Sequence, residues 1–395
     1  MAGGVYCLIC SDVFAELGTA VPRSGGLYTF AQRGLGDFAG FVLGYADSAS
    51  ICAANAALGI VIGEYLGVLV PALAGHEVLI AAAVILALSA ANWGGIRQGS
   101  GIQQATTVIK TVAFLALIVA CFAVTPHPAA APAPPPFPVG WSLAPALLLA
   151  MQGIIFTYDS YYYAIYSSEE IENPGRVIPR AIFGSVALIA AIYILLNVAF
   201  FRLLPLGAMA GDKFVGGSAA AAVFGPRGDA VIRTIVILSV LGTINAYLVA
   251  GPRILLAMSR DGLFARRLPR WLGGADLLRV NAGGTPTGGL LVFTVASLLF
   301  LFSGTFEKTL ALGTFFIVFN YALTFASYFG LRRREPALER PYRARHPVTG
   351  VLALGGALVF LGAALATDTR NSLIAAAIVL LAWPLFVGVK RALRA

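Results

Sequence analysis

The sequence has 395 residues, of which 59% are apolar and only 11% are charged. Because a soluble globular chain carries about a quarter charged residues, this composition excludes a soluble protein and indicates a polytopic membrane protein. The formal net charge of +9 has to be interpreted within that class.

Eleven segments are apolar enough to cross a membrane at about 20 residues per helix. The sequence therefore predicts an all-α polytopic membrane protein, with no separate soluble domain between the spans. The predicted spans are 3–20, 38–62, 78–95, 104–125, 141–165, 181–202, 230–256, 287–304, 308–330, 349–367 and 372–389.

The basic residues are distributed unevenly between the two sides of these spans. If the loop after the first span is cytoplasmic, the cytoplasmic segments hold 19 lysine and arginine residues and the opposite side holds six. The positive-inside rule then fixes the orientation. The net charge reflects membrane topology, and we expect no nucleic acid partner.

An ionisable residue within a membrane span costs about 2.5 to 3.5 kcal/mol and usually has a function, and six such residues are candidates here. Lys110 allows two interpretations: its buried amine gains and loses a proton near neutral pH, or the amine reaches the cytoplasmic surface along the helix. Glu16 we interpret as structural, in contact with a neighbouring inner loop, whereas we assign no role to Asp12 or Asp47. The six residues are Asp12, Glu16, Asp47, Glu64, Lys110 and Asp159.

A break interrupts the apolar run that enters from Leu143. The run stops at Phe156-Thr157-Tyr158-Asp159-Ser160 and then meets a charged turn punctuated by proline. Within a membrane, an interrupted helix is tolerated only where protein or a wet cavity surrounds its unpaired backbone groups, so the break marks a site. The free ends of the two half-helices can hold an ammonium or a carboxylate group.

The residues of this break resemble the sixth-helix signature of the amino acid, polyamine and organocation (APC) permeases. The matching residues are Phe156 to Asp159, then Glu169-Glu170-Ile171-Glu172-Asn173-Pro174 and Ile178-Pro179-Arg180-Ala181. Ser160 occupies the position of the glycine that is usual in the family. Further matches are Ala15-Glu16-Leu17-Gly18 near the amino terminus and Arg340-Pro341-Tyr342-Arg343 near the carboxyl terminus.

The resemblance implies a fold of two five-helix units related by inverted symmetry, followed by two further helices. Because the chain starts at the counterpart of the family's second helix, we expect 11 spans of the family's 12, without the first broken helix. The expected division is 1–125 (helices 2 to 5 of the first repeat), 126–140 (proline-rich outer loop), 141–330 (second repeat), 331–348 (basic cytoplasmic loop) and 349–395 (two C-terminal helices and tail).

The resemblance also implies secondary transport of amino acids or related organic amines by alternating access, in the cytoplasmic membrane. Phe156, Thr157, Tyr158, Asp159 and Ser160 would then form the substrate site, with Asp159 either contacting substrate or capping the next helix.

Outside the break, the expectation assigns proton coupling to Lys110. Ser239 and Thr243 either form a pocket or gate or hold helices together. The alternative is a transport-dead or accessory membrane protein derived from such a permease. We expect no catalytic residue, metal or cofactor; the partners are substrate, protons and the lipid bilayer, and the oligomeric state is left open.

Overall fold

A computed structural model describes most of the chain, in eight stretches: 2–23, 25–95, 99–124, 136, 138–212, 214–268, 274–303 and 305–394. Most of the predicted proline-rich outer loop lies outside these residues. Within them the chain is helical, and its β-structure is limited to two isolated bridges, Arg267 with Asp276 and Val280 with Pro286. The all-α class predicted from the sequence is confirmed.

The described residues form fifteen α-helices. In chain order they are α1 (Ala2–Ala20), α2 (Tyr28–Leu35), α3 (Asp37–Leu69), α4 (Glu77–Gly94), α5 (Gly99–Ala123), α6 (Leu143–Tyr158), α7 (Pro174–Leu203), α8 (Leu206–Met209), α9 (Val215–Phe224), α10 (Pro226–Arg260), α11 (Thr287–Phe302), α12 (Phe306–Arg334), α13 (Val348–Thr367), α14 (Thr369–Leu380) and α15 (Ala382–Arg394). Short 3₁₀ helices cover Pro71–Leu73, Gly140–Ser142 and Tyr163–Glu170.

Each of the eleven predicted spans coincides with helix. Seven helical segments of the described chain are long and apolar enough to cross a membrane: α3, α4, α7, α10, α12, α13 and the joined α14 and α15. Shorter apolar helices include α6, α11 and the second half of α5. Since α1 covers the remaining predicted span, the polytopic architecture follows the sequence closely.

Helices α3 and α12 form the centre of the molecule. They pack against each other, and α3 also packs against α2, α4, α10 and α11. Both helices are apolar on all sides, which is the pattern of a helix surrounded by protein. Gly63 allows α3 to approach α4 closely, since a side chain at this position would collide with the backbone of Glu77.

The basic inner loop 331–348 is attached to α1 by buried carboxylates. Glu16, 2% exposed, accepts two hydrogen bonds from Arg332 at 2.9 and 2.5 Å and lies 3.2 Å from Nε of Arg340. One turn earlier, Asp12 accepts a hydrogen bond from Tyr342 at 2.5 Å. The structural interpretation of Glu16 is confirmed.

Candidate functional site

The break predicted in the apolar segment 141–165 is present, but it begins at Asp159, three residues later than expected. Helix α6 includes Phe156 and Thr157 and ends at Tyr158. Ser160 follows with a positive φ of 74°, and the 3₁₀ helix Tyr163–Glu170 leads to α7. Helix α6 and the 3₁₀ helix Tyr163–Glu170 are therefore two separate helical pieces, and no backbone hydrogen bond joins one to the other.

Three backbone carbonyl groups are left unpaired where α6 ends. The N–H group of Asp159 donates to the carbonyl oxygen of Ile155 at 2.9 Å. The next three carbonyl oxygens, those of Phe156, Thr157 and Tyr158, accept no hydrogen bond from any described residue. Because they end a helix, these oxygens carry its partial negative charge and suit a cationic ligand.

The side chain of Asp159 lies among hydroxyl groups from three elements. It accepts hydrogen bonds from Tyr321 of α12 at 3.0 Å, from Tyr162 at 3.4 Å and from Ser160 at 3.3 Å. Ser160 in turn lies 3.2 Å from the hydroxyl of Tyr247 on α10. Asp159 and Ser160 therefore join the break to two long helices.

A buried carboxylate lies next to this half-buried one. Asp47 of α3 is 2% exposed and accepts hydrogen bonds from Tyr166 at 2.5 Å and from Asn320 at 3.4 Å. Asn320 precedes Tyr321, so two consecutive residues of α12 bind the two carboxylates. Asn320 is also the middle residue of α12, which places both acids near the middle of a spanning helix.

Five tyrosine rings surround the two carboxylates and form what we call the tyrosine cage. Neighbouring ring centroids in it lie 5.0 to 6.3 Å apart. The cage consists of Tyr162, Tyr163, Tyr166, Tyr247 and Tyr321. Sequence reasoning missed all five of these tyrosines, and it missed Asn320. A signal existed only for Asp47, as an unexplained acid in an apolar span.

An inner cavity of about 590 Å³ reaches the cage from the side that the positive-inside rule assigns to the cytoplasm. Tyr166 lines this cavity and its hydroxyl also donates to Asp47, so one residue contacts both the cavity and the acid. At the mouth, Arg23 pairs with Asp261 at 2.6 Å, and Tyr28 donates to the same carboxylate at 3.0 Å.

An outer cavity of about 660 Å³ opens at the opposite ends of α3, α10 and α12. Four carboxylates line it: Glu64, Glu77, Asp212 and Glu307. Its only basic lining residue among the described ones, Arg233, forms an ion pair with Asp229 at 2.7 Å. Acidic residues therefore outnumber basic ones among the described residues that line this cavity.

The remaining predicted site residues lie outside the cage. Thr157 is exposed, with its hydroxyl bonded to the carbonyl of Gly153. The ring of Tyr158 packs against Tyr193 of α7 with centroids 5.9 Å apart. These two residues bring backbone oxygens rather than side chains to the break.

Lys110, Ser239 and Thr243 are not brought to the break either. Lys110 is half-buried on α5, a helix that packs against α7, α9 and α10. It forms no hydrogen bond or ion pair with a described residue. Ser239 and Thr243 precede Tyr247 on α10 by two turns and one turn, and the Thr243 hydroxyl bonds the carbonyl of Ser239.

Comparison with known proteins gives a family match over nearly the whole chain. The amino acid permease family model matches residues 1–383. The serine/threonine exchanger SteT of Bacillus subtilis (strain 168) is 27% identical over 99% of this chain and 87% of its own length. The mouse Asc-type amino acid transporter 1 is 28% identical over 87% of the chain and 64% of its own length. The human b(0,+)-type amino acid transporter 1 is 25% identical over 87% of the chain and 69% of its own length.

Proposed function

The chain belongs to the amino acid permease family and is therefore a multi-pass membrane transporter and not an enzyme, and we propose that it moves amino acids or related organic amines across the cytoplasmic membrane by alternating access. One observation carries this proposal: the unpaired end of α6 lies at the tyrosine cage, between a cavity on each side of the molecule. A substrate bound there would be exposed in turn to the inner and the outer cavity.

The substrate's amino group would bind at the end of α6. The carbonyl oxygens of Phe156, Thr157 and Tyr158 supply acceptors, and the carboxylate of Asp159 supplies a negative charge. Ser160 adds a hydroxyl at the same level. An ammonium group has three donors and no acceptor, so it matches a site that consists of acceptors.

The relatives named above support amino acids as the substrate class. SteT is a serine/threonine exchanger, and the two mammalian relatives are amino acid transporters. Exchange of one substrate for another is accordingly one mode of transport for this chain. Ser239 and Thr243 would act as part of the gate, through their place on α10 before Tyr247.

For net uptake, we propose that Lys110 couples transport to protons. Its amine is half-buried without an acid partner among the described residues, and a lysine in such surroundings exchanges its proton readily. It lies on α5, which packs against the site-bearing helix α10 and against α7. A change in its charge would therefore act on helices that border the site.

The test is uptake of labelled amino acids and amines into proteoliposomes that contain the full chain. The wild type should accumulate substrate when a pH gradient is applied. Lys110→Ala should lose this accumulation and keep counterflow, which needs no gradient. Lys308→Ala is the matched control, since this lysine lies in the first turn of α12, at the outer end of that helix, and bonds the carbonyl of Ser303.

The outcomes separate the parts of the proposal. Full gradient-driven uptake by Lys110→Ala would contradict the coupling role and leave the permease function intact. Failure of the wild type to move or exchange any amino acid or amine would instead favour the transport-dead alternative.

A further inference from the structure

We propose that Asp47 and Asn320, beside Asp159 in the tyrosine cage, form a cation subsite that binds a second positive group of the substrate. The permease would then select basic amino acids or diamines, with one ammonium group at the end of α6 and a further ammonium or guanidinium group at Asp47. This inference rests on the proposed function and names its substrate class.

The charges within the cage are uncompensated. Asp47 is 2% exposed, and the ion pairs found in the described chain involve neither Asp47 nor Asp159. Glu16, equally buried, has two arginines. Removing a carboxylate from water costs several kcal/mol unless a cation and hydrogen bonds offset the loss. The cage supplies the hydrogen bonds, and a bound cation would supply the charge.

Asn320 gives an independent indication of a ligand with N–H groups. Asn320 is 1% exposed, its Nδ2 lies 3.4 Å from Asp47, and its Oδ1 has no hydrogen-bond partner among the described residues. A buried acceptor without a donor is costly and rare in a folded protein. An ammonium or guanidinium group bound to Asp47 would bring several donors to this oxygen.

The spacing of the two acids suits one substrate with two positive groups. Asn320 and Tyr321 are consecutive on α12, and each binds one of the two carboxylates. Consecutive Cα atoms lie about 3.8 Å apart, so both acids are within reach of one extended molecule. The aromatic faces of the cage add the cation–π attraction that ammonium and guanidinium groups favour.

The outer cavity has the charge expected on the path of a cationic substrate. Four carboxylates line it, and its arginine, Arg233, is paired with Asp229 and lies over the rings of Tyr65 and Phe214. A cleft lined by one sign of charge raises the local concentration of the opposite ion.

The decisive experiment compares L-lysine with L-norleucine, whose side chain has the same carbon chain without the ammonium group. Binding of each to the purified full chain is measured by calorimetry, for the wild type, Asp47→Asn and Asp37→Asn. Asp37 is the matched control, an exposed acid of the same helix paired with Lys390. Asparagine at position 47 keeps the shape of aspartate, and its amide oxygen can still accept the hydrogen bond from the Tyr166 hydroxyl.

The wild type should bind lysine at least about tenfold more tightly than norleucine, since a hydrogen bond to a charged group contributes about 1.5 to 3 kcal/mol. Asp47→Asn should reduce this preference to near one by weakening lysine binding alone, and Asp37→Asn should leave it unchanged.

Equal binding of lysine and norleucine by the wild type would overturn the inference and leave the permease function standing, and this comparison needs no variant. A preference for lysine over norleucine that survives Asp47→Asn would also overturn the inference. If sodium ions alone stabilised the wild type against thermal unfolding but not Asp47→Asn, the subsite would hold an inorganic cation and the inference would be wrong. If no amino acid or amine bound, the proposed function itself would fail.

Discussion

The hydroxyl of Tyr166 donates a 2.5 Å hydrogen bond to the carboxylate of Asp47, while the ring of the same tyrosine lines the inner cavity. A substrate held at Asp47 can leave toward the inner side only after this ring moves. The hydrogen bond therefore stabilises the position in which Tyr166 separates the cage from the cavity.

We expect Tyr166→Phe to open the cage toward the inner side. A hydrogen bond to a charged group contributes about 1.5 to 3 kcal/mol, which corresponds to a tenfold or larger shift in the closed-to-open ratio. Asn320→Cys serves as the reporter, once with Tyr166 and once with Tyr166→Phe. A membrane-impermeant thiol reagent added from the inner side should label the cysteine about ten times faster in the Tyr166→Phe protein than in the protein that keeps Tyr166.

Tyr163→Phe is the control for this labelling experiment, because Tyr163 belongs to the same 3₁₀ helix and its ring packs against Tyr166 without bonding Asp47. Equal acceleration by both substitutions would show that general loosening of the cage, and not the Asp47 hydrogen bond, controls access.

The backbone at Ser160 explains why glycine is usual at this position in the family. Its φ of 74° lies in the left-handed region, where a side chain costs about 1 to 2 kcal/mol. Ser160→Gly should therefore be more stable than Ser160→Ala by about 1 kcal/mol, since alanine keeps the strain and loses the hydroxyl contacts. Thermal unfolding of the purified variants measures this difference.

Ser48 gives the control with the opposite sign. It lies inside α3, where glycine costs about 0.5 to 1 kcal/mol relative to alanine, so Ser48→Ala should be the more stable of its pair. If alanine were also the better substitution at position 160, the left-handed backbone there would be wrong.

The sequence predicted the helices and the break far better than the surroundings of the break. Apolar length alone gives the spans, and the run from Phe156 to Ser160 identifies the interruption. The boundary was misplaced because Phe156 and Thr157 keep helical backbone bonds to the preceding turn, and only their carbonyl groups are unpaired. Residue type does not reveal that distinction.

The tyrosine cage could not be predicted because its members come from distant parts of the chain. Tyr247 and Tyr321 lie on α10 and α12, and Asp47, to which Tyr166 donates, lies on α3. Helices α3 and α12 are apolar on all sides, so periodicity does not show which face meets which neighbour. Only packing of the whole chain places Asn320 beside Asp47.

Glu16→Gln should strongly destabilise the protein. The substitution leaves Arg332 and Arg340 without their buried anion, and breaking a buried ion pair costs about 3 to 5 kcal/mol. Asp37→Asn removes an exposed partner of Lys390 and should cost less than about 1 kcal/mol. Similar melting temperatures for the two variants would contradict the structural role of Glu16.

The ion pair between Arg33 and Glu335 should make a small contribution to stability that depends on pH. The hydrogen bonds from Arg33, at 2.7 and 2.5 Å, hold the pKa of Glu335 below its ordinary value of 4.5. A carboxylate with a lowered pKa stabilises the folded state above its unfolded pKa, and this contribution is lost as the pH falls through the folded value.

Unfolding of the wild type and Glu335→Gln should therefore differ by less than about 1 kcal/mol at neutral pH, because both groups are largely exposed. The difference should disappear as the pH falls below 4.5. Glu339→Gln, at an exposed position without a bond to a described residue, should show no such pH dependence. A difference that persisted in acid would mean that Glu335 acts through packing.

The acidic lining of the outer cavity should affect the rate at which cationic substrates arrive. Glu64→Gln removes one of its charges, and Glu64→Lys reverses that charge. If the carboxylates attract substrate through solvent, the KM for lysine uptake should rise in that order at about 0.01 M ionic strength, where the Debye length is about 30 Å. At about 1 M ionic strength, where the Debye length is about 3 Å, the differences in KM should nearly vanish.

Norleucine exchange should change little in either variant, because that substrate has no net charge. Equal losses for both substrates at both ionic strengths would instead mean that Glu64 supports the packing of α3 and has no part in attracting the substrate.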